Sequence, residues 1–399
     1  MAHHCITRAV HILNHERSFR EAVKSIDQAV GRALPSNKRY DCVRVLTLKY
    51  DNDDIGLADI EAELLRLFQN RFHNATDSVV VPSSSVRDAT LAIRGKLQSL
   101  ILQYDTPTTL FIIVYKGYSD ANLKQPSLLY ISCRSWLFSS WKIEQQVYEI
   151  RRGAAYPGAT SIPWAFVEAD LAARVHADVF VMLDSCFSPG AAMGPTAYEY
   201  LAASAFESPA AASIDVSLTR RFVDLLNALE TEEITVAQVH AKLVQKANHA
   251  ESRLLYTPVH VVSEKKPSVT LHPLQNLSRE VASLQKTGGL ADGKVLVSVL
   301  VEGKTSVPNV EQWTKWLATS IPEDVADIKI EAVFESGSSL CLLTLPIAVW
   351  DMIKYHESYN FIAFVESNNT LLRRSPAPPG TGALESRARN VRVPHREKQ

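Results

Sequence analysis

An α/β architecture with a largely parallel sheet, followed by a smaller α+β unit, is what this sequence predicts, and three observations carry the expectation. Thr109 to Tyr115 and Val179 to Leu183 are unbroken apolar runs, the pattern of strands buried on both faces of a parallel sheet. Strand-like runs alternate with helical periodicities from Cys42 to Leu271, as βα units do. After a polar stretch holding Gly288-Gly289, a second series reads strand, helix, strand, strand, helix, strand. The expected organisation is an N-terminal helix (1–38), an α/β domain (39–272), a linker (273–293), the α+β domain (294–368) and a basic tail (369–399).

The elements follow in order. Phe19, Ala22, Val23, Ile26, Ala29, Val30 and Ala33 recur at helical spacing, so residues 15–34 form an amphipathic helix, expected to cover an edge of the next domain. Cys42 to Tyr50 alternates as a strand, and Asp51-Asn52-Asp53-Asp54 is a solvated turn without the spacing of a calcium loop. Leu57 to Phe72 is helical, Ser78 to Pro82 extended, and Ser83 to Ser85 cap a long helix from Val86 to Tyr104. The strand Thr109–Tyr115 ends in Lys116-Gly117-Tyr118-Ser119. Ser127–Ser132 and Trp136–Trp141 suggest a hairpin. Ile162 to Val175 is helical with Pro163 at its start, and feeds the strand Asp178–Asp184. Helices are expected near Ala197–Phe206, Val216–Leu229 and Val236–Ala247, and strands at Tyr256–Val262 and Ser268–Leu271.

In the second unit the strands are Lys294–Val301, Asp327–Glu335, Ser339–Leu345 and Tyr359–Val365, with helices at Pro308–Ser320 and Pro346–Tyr355. The order β-α-β-β-α-β is that of a ferredoxin-like fold. Its aromatics, among them Trp313 and Trp316, sit at helical spacing and are read as core. From Arg373 onward the chain is Pro-rich, basic and poor in large apolar residues, the composition of a disordered tail.

Composition narrows the function classes. A formal net charge of -1 provides no global field to draw in nucleic acid or a membrane surface. No apolar run approaches the ~20 residues a membrane span needs, and the N-terminal stretch lacks an apolar signal core. The five cysteines are odd in number and scattered, which suits reduced thiols in a cytoplasmic protein, with a nuclear location compatible with the basic tail. No CxxC pair exists and His3-His4-Cys5 reads as a frayed terminus, so no metal and no cofactor are expected.

The stretch with chemistry is Leu183-Asp184-Ser185-Cys186-Phe187-Ser188, a thiol just beyond a buried strand, where α/β folds place their sites. It resembles the cysteine motif of caspase-like and metacaspase peptidases (the C14 type), and the layout looks like a group of fungal proteins with such a domain. The resemblance implies a caspase-like sheet over residues 40–271 and Cys186 as the nucleophile position. The family also places Gly-His-Gly after the earlier strand, with the histidine facing the cysteine. Here that stretch is Gly117-Tyr118-Ser119, so Tyr118 replaces the histidine and Ser119 the second glycine. The resemblance further implies an oxyanion hole from the backbone N–H groups of Ser119 and Cys186.

The change matters chemically. A free thiol, with a pKa near ~8.5, is only slightly ionised at neutral pH, and the histidine both assists it and protonates the leaving amine. A phenol with a pKa near ~10 is a poor substitute in both tasks. His176 lies at the wrong end of its strand, His260 reads as a packed core residue, and His240 and His249 as solvent-facing; His73 has no visible link to the site. The first reading is therefore an inactive caspase-like homologue that binds a protein or peptide partner, with homodimer formation open. The alternatives are a weak cysteine endopeptidase using Cys186, and a nucleic-acid-associated protein acting through its tail, which the second sheet's lack of aromatic signature strands disfavours.

Overall fold

The computed structural model describes residues 18–51, 56–122, 147–151, 161–172, 175–185, 198–203, 217–229, 233–247, 257–262, 266–274, 289–302, 310–335 and 339–370. The expected hairpin at 127–141, Cys186 and the tail lie outside them. Among the described residues no helix is long and apolar enough to cross a membrane.

The first unit is a mixed α/β layer structure. Its elements are β1 (Cys42–Tyr50), α2 (Ala58–Asn70), β2 (Ala75–Val81), α3 (Val86–Tyr104), β3 (Thr109–Lys116), α4 (Trp164–Ala172), β7 (Asp178–Asp184), β8 (Glu199–Ala202), α5 (Leu218–Asn227), α6 (Val236–Ala247) and β10 (Val259–Val261). Six strands form one sheet in the order β10-β8-β7-β3-β1-β2. All neighbours are parallel except β10 with β8. Helices α3 and α4 pack on one face, and α2, α5 and α6 on the other. This double cover explains why every residue of β3 is buried. Small ladders of β4 (Tyr118–Asn122), β5 (Val147–Arg151) and β6 (Ser161–Pro163), and of β9 (Ile234–Thr235) with β11 (Thr270–Leu271), complete the unit.

Local chemistry sets the helix starts. The Ser85 side chain accepts from the Asp88 N–H to open α3, as the sequence anticipates, and Ser217 does the same for α5 through the Arg220 N–H. The stretch read as a helix near 197–206 is instead strand β8. Its alanines favour helix, but Tyr200, Leu201 and Ala202 lie between the two helical layers beside β7, and burial overrides propensity.

The second unit holds β12 (Lys294–Val301), α7 (Val310–Ser320), β13 (Lys329–Glu335), β14 (Ser339–Pro346), α8 (Ile347–Ile353) and β15 (Tyr359–Val365). Its antiparallel sheet runs β13-β14-β12-β15. Along β12 burial alternates, with Val295, Val297, Val299 and Val301 facing the core.

The N-terminal helix α1 (Phe19–Ala33) does not cover a sheet edge of the first unit as expected; its apolar face completes the second unit's core. Ser18 and Glu21 form a reciprocal capping box at its start. Phe19 stacks on Trp313 at 4.1 Å, and the Tyr359 hydroxyl donates to the Ala22 carbonyl at 3.0 Å. Ala237, Ala241 and Val244 of α6 join the same cluster, so α1 and α6 weld the units together. Amphipathic periodicity shows that a helix has a buried face but not which surface receives it.

Candidate functional site

Strands β3 and β7 are adjacent and parallel, paired from Leu110↔Asp178 to Lys116↔Asp184. Tyr118 and Cys186 each stand two residues beyond that last pair in sequence. The C-terminal ends of the two strands, Lys116 and Asp184, therefore lie side by side. Gly117 donates its N–H to the Asp184 carbonyl at 3.3 Å, extending the pairing by one step. Its φ is +152°, and a Cβ there would lie 2.8 Å from the buried Tyr115 hydroxyl oxygen, so the position demands glycine. Tyr118 and Ser119 continue as backbone of β4, opposite Arg151 and Ile150.

The polar groups of this lip hold the fold together. The Asp184 carboxylate, buried, accepts from the N–H groups of Leu218 at 3.2 Å and Thr219 at 2.9 Å and from the Thr219 hydroxyl at 2.6 Å. It thereby anchors the N-terminus of α5, where orphan N–H groups and the helix dipole favour a negative charge. Lys116, also buried, approaches Asp184 at 3.9 Å and the Ser217 hydroxyl at 3.5 Å. The acidic residue of the cysteine motif is thus a tether between β7 and α5.

In a sheet with this strand order the chain direction switches between β1 and β3, where doubly wound folds receive ligands. That crevice is filled. Glu61 accepts from the Thr47 hydroxyl at 2.5 Å and the Ser78 hydroxyl at 2.8 Å and pairs with Lys49. Burial pushes the Glu61 carboxyl up, but the bonds from Lys49, Thr47 and Ser78 outweigh it and hold it below the ordinary carboxylate range. The space left, about 10 Å³, is too small for a ligand. A larger cavity, about 240 Å³, lies at the opposite end of β7, lined by Lys38, Tyr40, Asp178 and Lys266. There the Tyr40 hydroxyl and the Lys38 ammonium both bind Asp178, at 2.8 and 2.7 Å.

No described histidine serves the lip. His176 pairs with Asp105 at 2.8 Å at the far end of β7, as its sequence position implies. His73 precedes β2, again at the far end of the strands. His272 packs flat against Tyr40 and His356 accepts from the Ser358 N–H. His260 is fully buried in β10, in accord with a core reading, but it bonds two carboxylates rather than only packing. His240 is not solvent-facing as expected: it is buried, because Asp351 of α8 lands on it at 2.6 Å. That contact joins residues 111 apart in sequence, beyond any local signal.

No protein-family model matches the chain, and a search of curated proteins finds no match.

Proposed function

We propose that the chain is a caspase-like peptidase homologue that has lost its catalytic base and acts by binding a protein or peptide partner. The observation that carries this reading is the parallel register ending at Lys116↔Asp184. It sets the ends of the two strands side by side at Lys116 and Asp184, which supports reading the residues that follow in sequence, Tyr118 and Cys186, as the two dyad positions, with tyrosine where the imidazole belongs. The largely parallel six-stranded sheet and the glycine-only backbone at Gly117 support it. The described histidines all have other partners or positions, so none replaces the lost base. The C-terminal unit, with its β-α-β-β-α-β order, fits a ferredoxin-like fold docked beside the caspase-like one.

A lip thiol without a general acid cannot readily expel an amine, so the reading is of binding rather than cleavage. Incubating the purified protein with a peptide library, with and without calcium, tests this against Cys186→Ala. No cysteine-dependent cleavage is expected; cleavage abolished by Cys186→Ala overturns the reading. Tyr118→His is expected to confer slow, Cys186-dependent hydrolysis on the inert parent.

A further inference from the structure

The second unit meets the first through a buried polar cluster rather than through apolar contact alone. His240 on α6, His260 on β10 and Asp351 on α8 converge, with Glu199 on β8 behind them. His240 Nδ1 lies 2.6 Å and His260 Nδ1 3.0 Å from the same oxygen, Asp351 Oδ2. His240 Nε2 faces the Pro258 carbonyl at 2.9 Å, and His260 Nε2 faces Glu199 Oε1 at 2.6 Å. All four ring nitrogens therefore point at oxygens. A neutral imidazole carries one N–H, so two neutral rings satisfy only two of the four contacts and set two nitrogen lone pairs against oxygen.

The other charged groups around the cluster fit this proton inventory. Lys354 of α8 binds Asp351 Oδ1 at 3.1 Å and also the His260 carbonyl. Glu199 accepts further bonds from the Ser268 hydroxyl at 2.6 Å and the Val269 N–H at 2.5 Å, the pattern of an ionised carboxylate. Arg32 of α1 donates to the Met352 carbonyl in the last turn of α8, 2.5 Å away. Lys38, Tyr40 and Lys266 lie across the cavity on the far side of Glu199.

Two nitrogens and a carboxylate are also a donor set for a divalent cation. The spacing decides against it. A tetrahedral zinc with bonds of about 2.0–2.1 Å holds its ligand atoms roughly 3.3 Å apart, whereas separations of 2.6 and 3.0 Å are those of charge-assisted hydrogen bonds.

We propose that docking of the C-terminal unit onto the edge of the parallel sheet is linked to proton uptake: the interface closes fully when His260, held between Asp351 and Glu199, carries both ring protons, so it tightens on acidification and loosens as pH rises. The electrostatics point the same way. Burial pushes the His260 ring down, but Asp351 and Glu199 outweigh it and raise it above the ordinary imidazole value. Burial pushes Asp351 up, but His240, Lys354 and His260 hold it well below the usual carboxylate range. A raised histidine stabilises the closed state below about pH 6.5 and loses that contribution as pH climbs through its folded value; a depressed aspartate contributes above about pH 4. The latch is accordingly tightest between those two limits.

Hydrogen–deuterium exchange of the full chain from pH 5.5 to 8, corrected for intrinsic exchange, tests this. The opening constants of β10 and α8 are expected to rise with pH, by up to about tenfold per pH unit for each linked proton, while β3 shows no such trend. His260→Gln should flatten the dependence. Asp351→Asn should remove it, and where that variant fails to fold the pH series on the parent chain still decides. Opening constants for β10 and α8 that do not change with pH overturn the proposal. So does a stoichiometric divalent ion in the purified protein whose chelation, at constant pH, releases the same segments.

Discussion

Replacing Asp184 separates a tether from a reaction residue. Asp184→Ala removes the acceptor of two backbone N–H groups and one hydroxyl at the start of α5, and leaves Lys116 buried without its carboxylate. Losing a buried carboxylate that accepts three hydrogen bonds and faces Lys116 costs about 3–5 kcal/mol, within which the unsatisfied N–H groups account for about 1–3 kcal/mol each. The expected loss is thus about 3–5 kcal/mol. Asp184→Asn keeps an acceptor for Thr219 but loses the charge facing Lys116 and the α5 dipole, so about 1.5–3 kcal/mol is expected. Adding Lys116→Met to Asp184→Asn should recover part of that loss, because the pair is removed together. Urea unfolding of the parent, Asp184→Asn, Lys116→Met and the double variant gives the double-mutant cycle. Asp184→Asn within 0.5 kcal/mol of the parent, taken as roughly the additivity limit, refutes the tether.

Three further outcomes follow from the same structure. Burial pushes the Glu168 carboxyl up from 4.5 to about 7, with only a partial offset from its bond to Tyr200. That raised value favours the folded state below the ordinary carboxylate pKa and is lost as pH rises through about 7, so Glu168→Gln should gain up to about 3 kcal/mol above pH 8 and little near pH 4 in urea titrations. Gly117→Ala should cost about 1–3 kcal/mol in thermal or chemical unfolding, and a neutral result would contradict the backbone geometry described. Burial pushes the Cys341 thiol up to about 12, so peptide mapping after iodoacetamide at pH 8 should find it modified only in unfolded protein.

What was legible in the sequence tracks the reach of each signal. Continuous apolar runs marked β3 and β7, because strand burial is written in neighbouring residues. The pairing of β3 with β7 was inferable because consecutive βα units tend to lie side by side. Strand β8 was missed because a four-residue strand among alanines carries no periodicity of its own. The seat of α1, the role of Asp184 and the burial of His240 were hidden for one reason: each depends on a surface supplied from far along the chain. No spacing rule links positions 199, 240, 260 and 351; only the docking of α8 on the sheet edge brings them together.

The distribution of polar groups bears on the function. Asp184 and Lys116 hold α5, and Glu61 and Lys49 close the switch-point crevice. The imidazoles of His240 and His260 serve the junction between the units. On the proposed reading, reactivity then turns on the thiol and the phenol that the sequence places just after the strand ends, at Cys186 and Tyr118. At neutral pH a thiol and a phenol are both mostly protonated, and neither raises the other's reactivity as an imidazole does. On that reading the pair favours holding a peptide over cutting it. The proposed reading also sets the direction of the Tyr118→His experiment: the β3–β7 pairing holds through Lys116↔Asp184, so position 118 is tested on strand ends that already lie side by side.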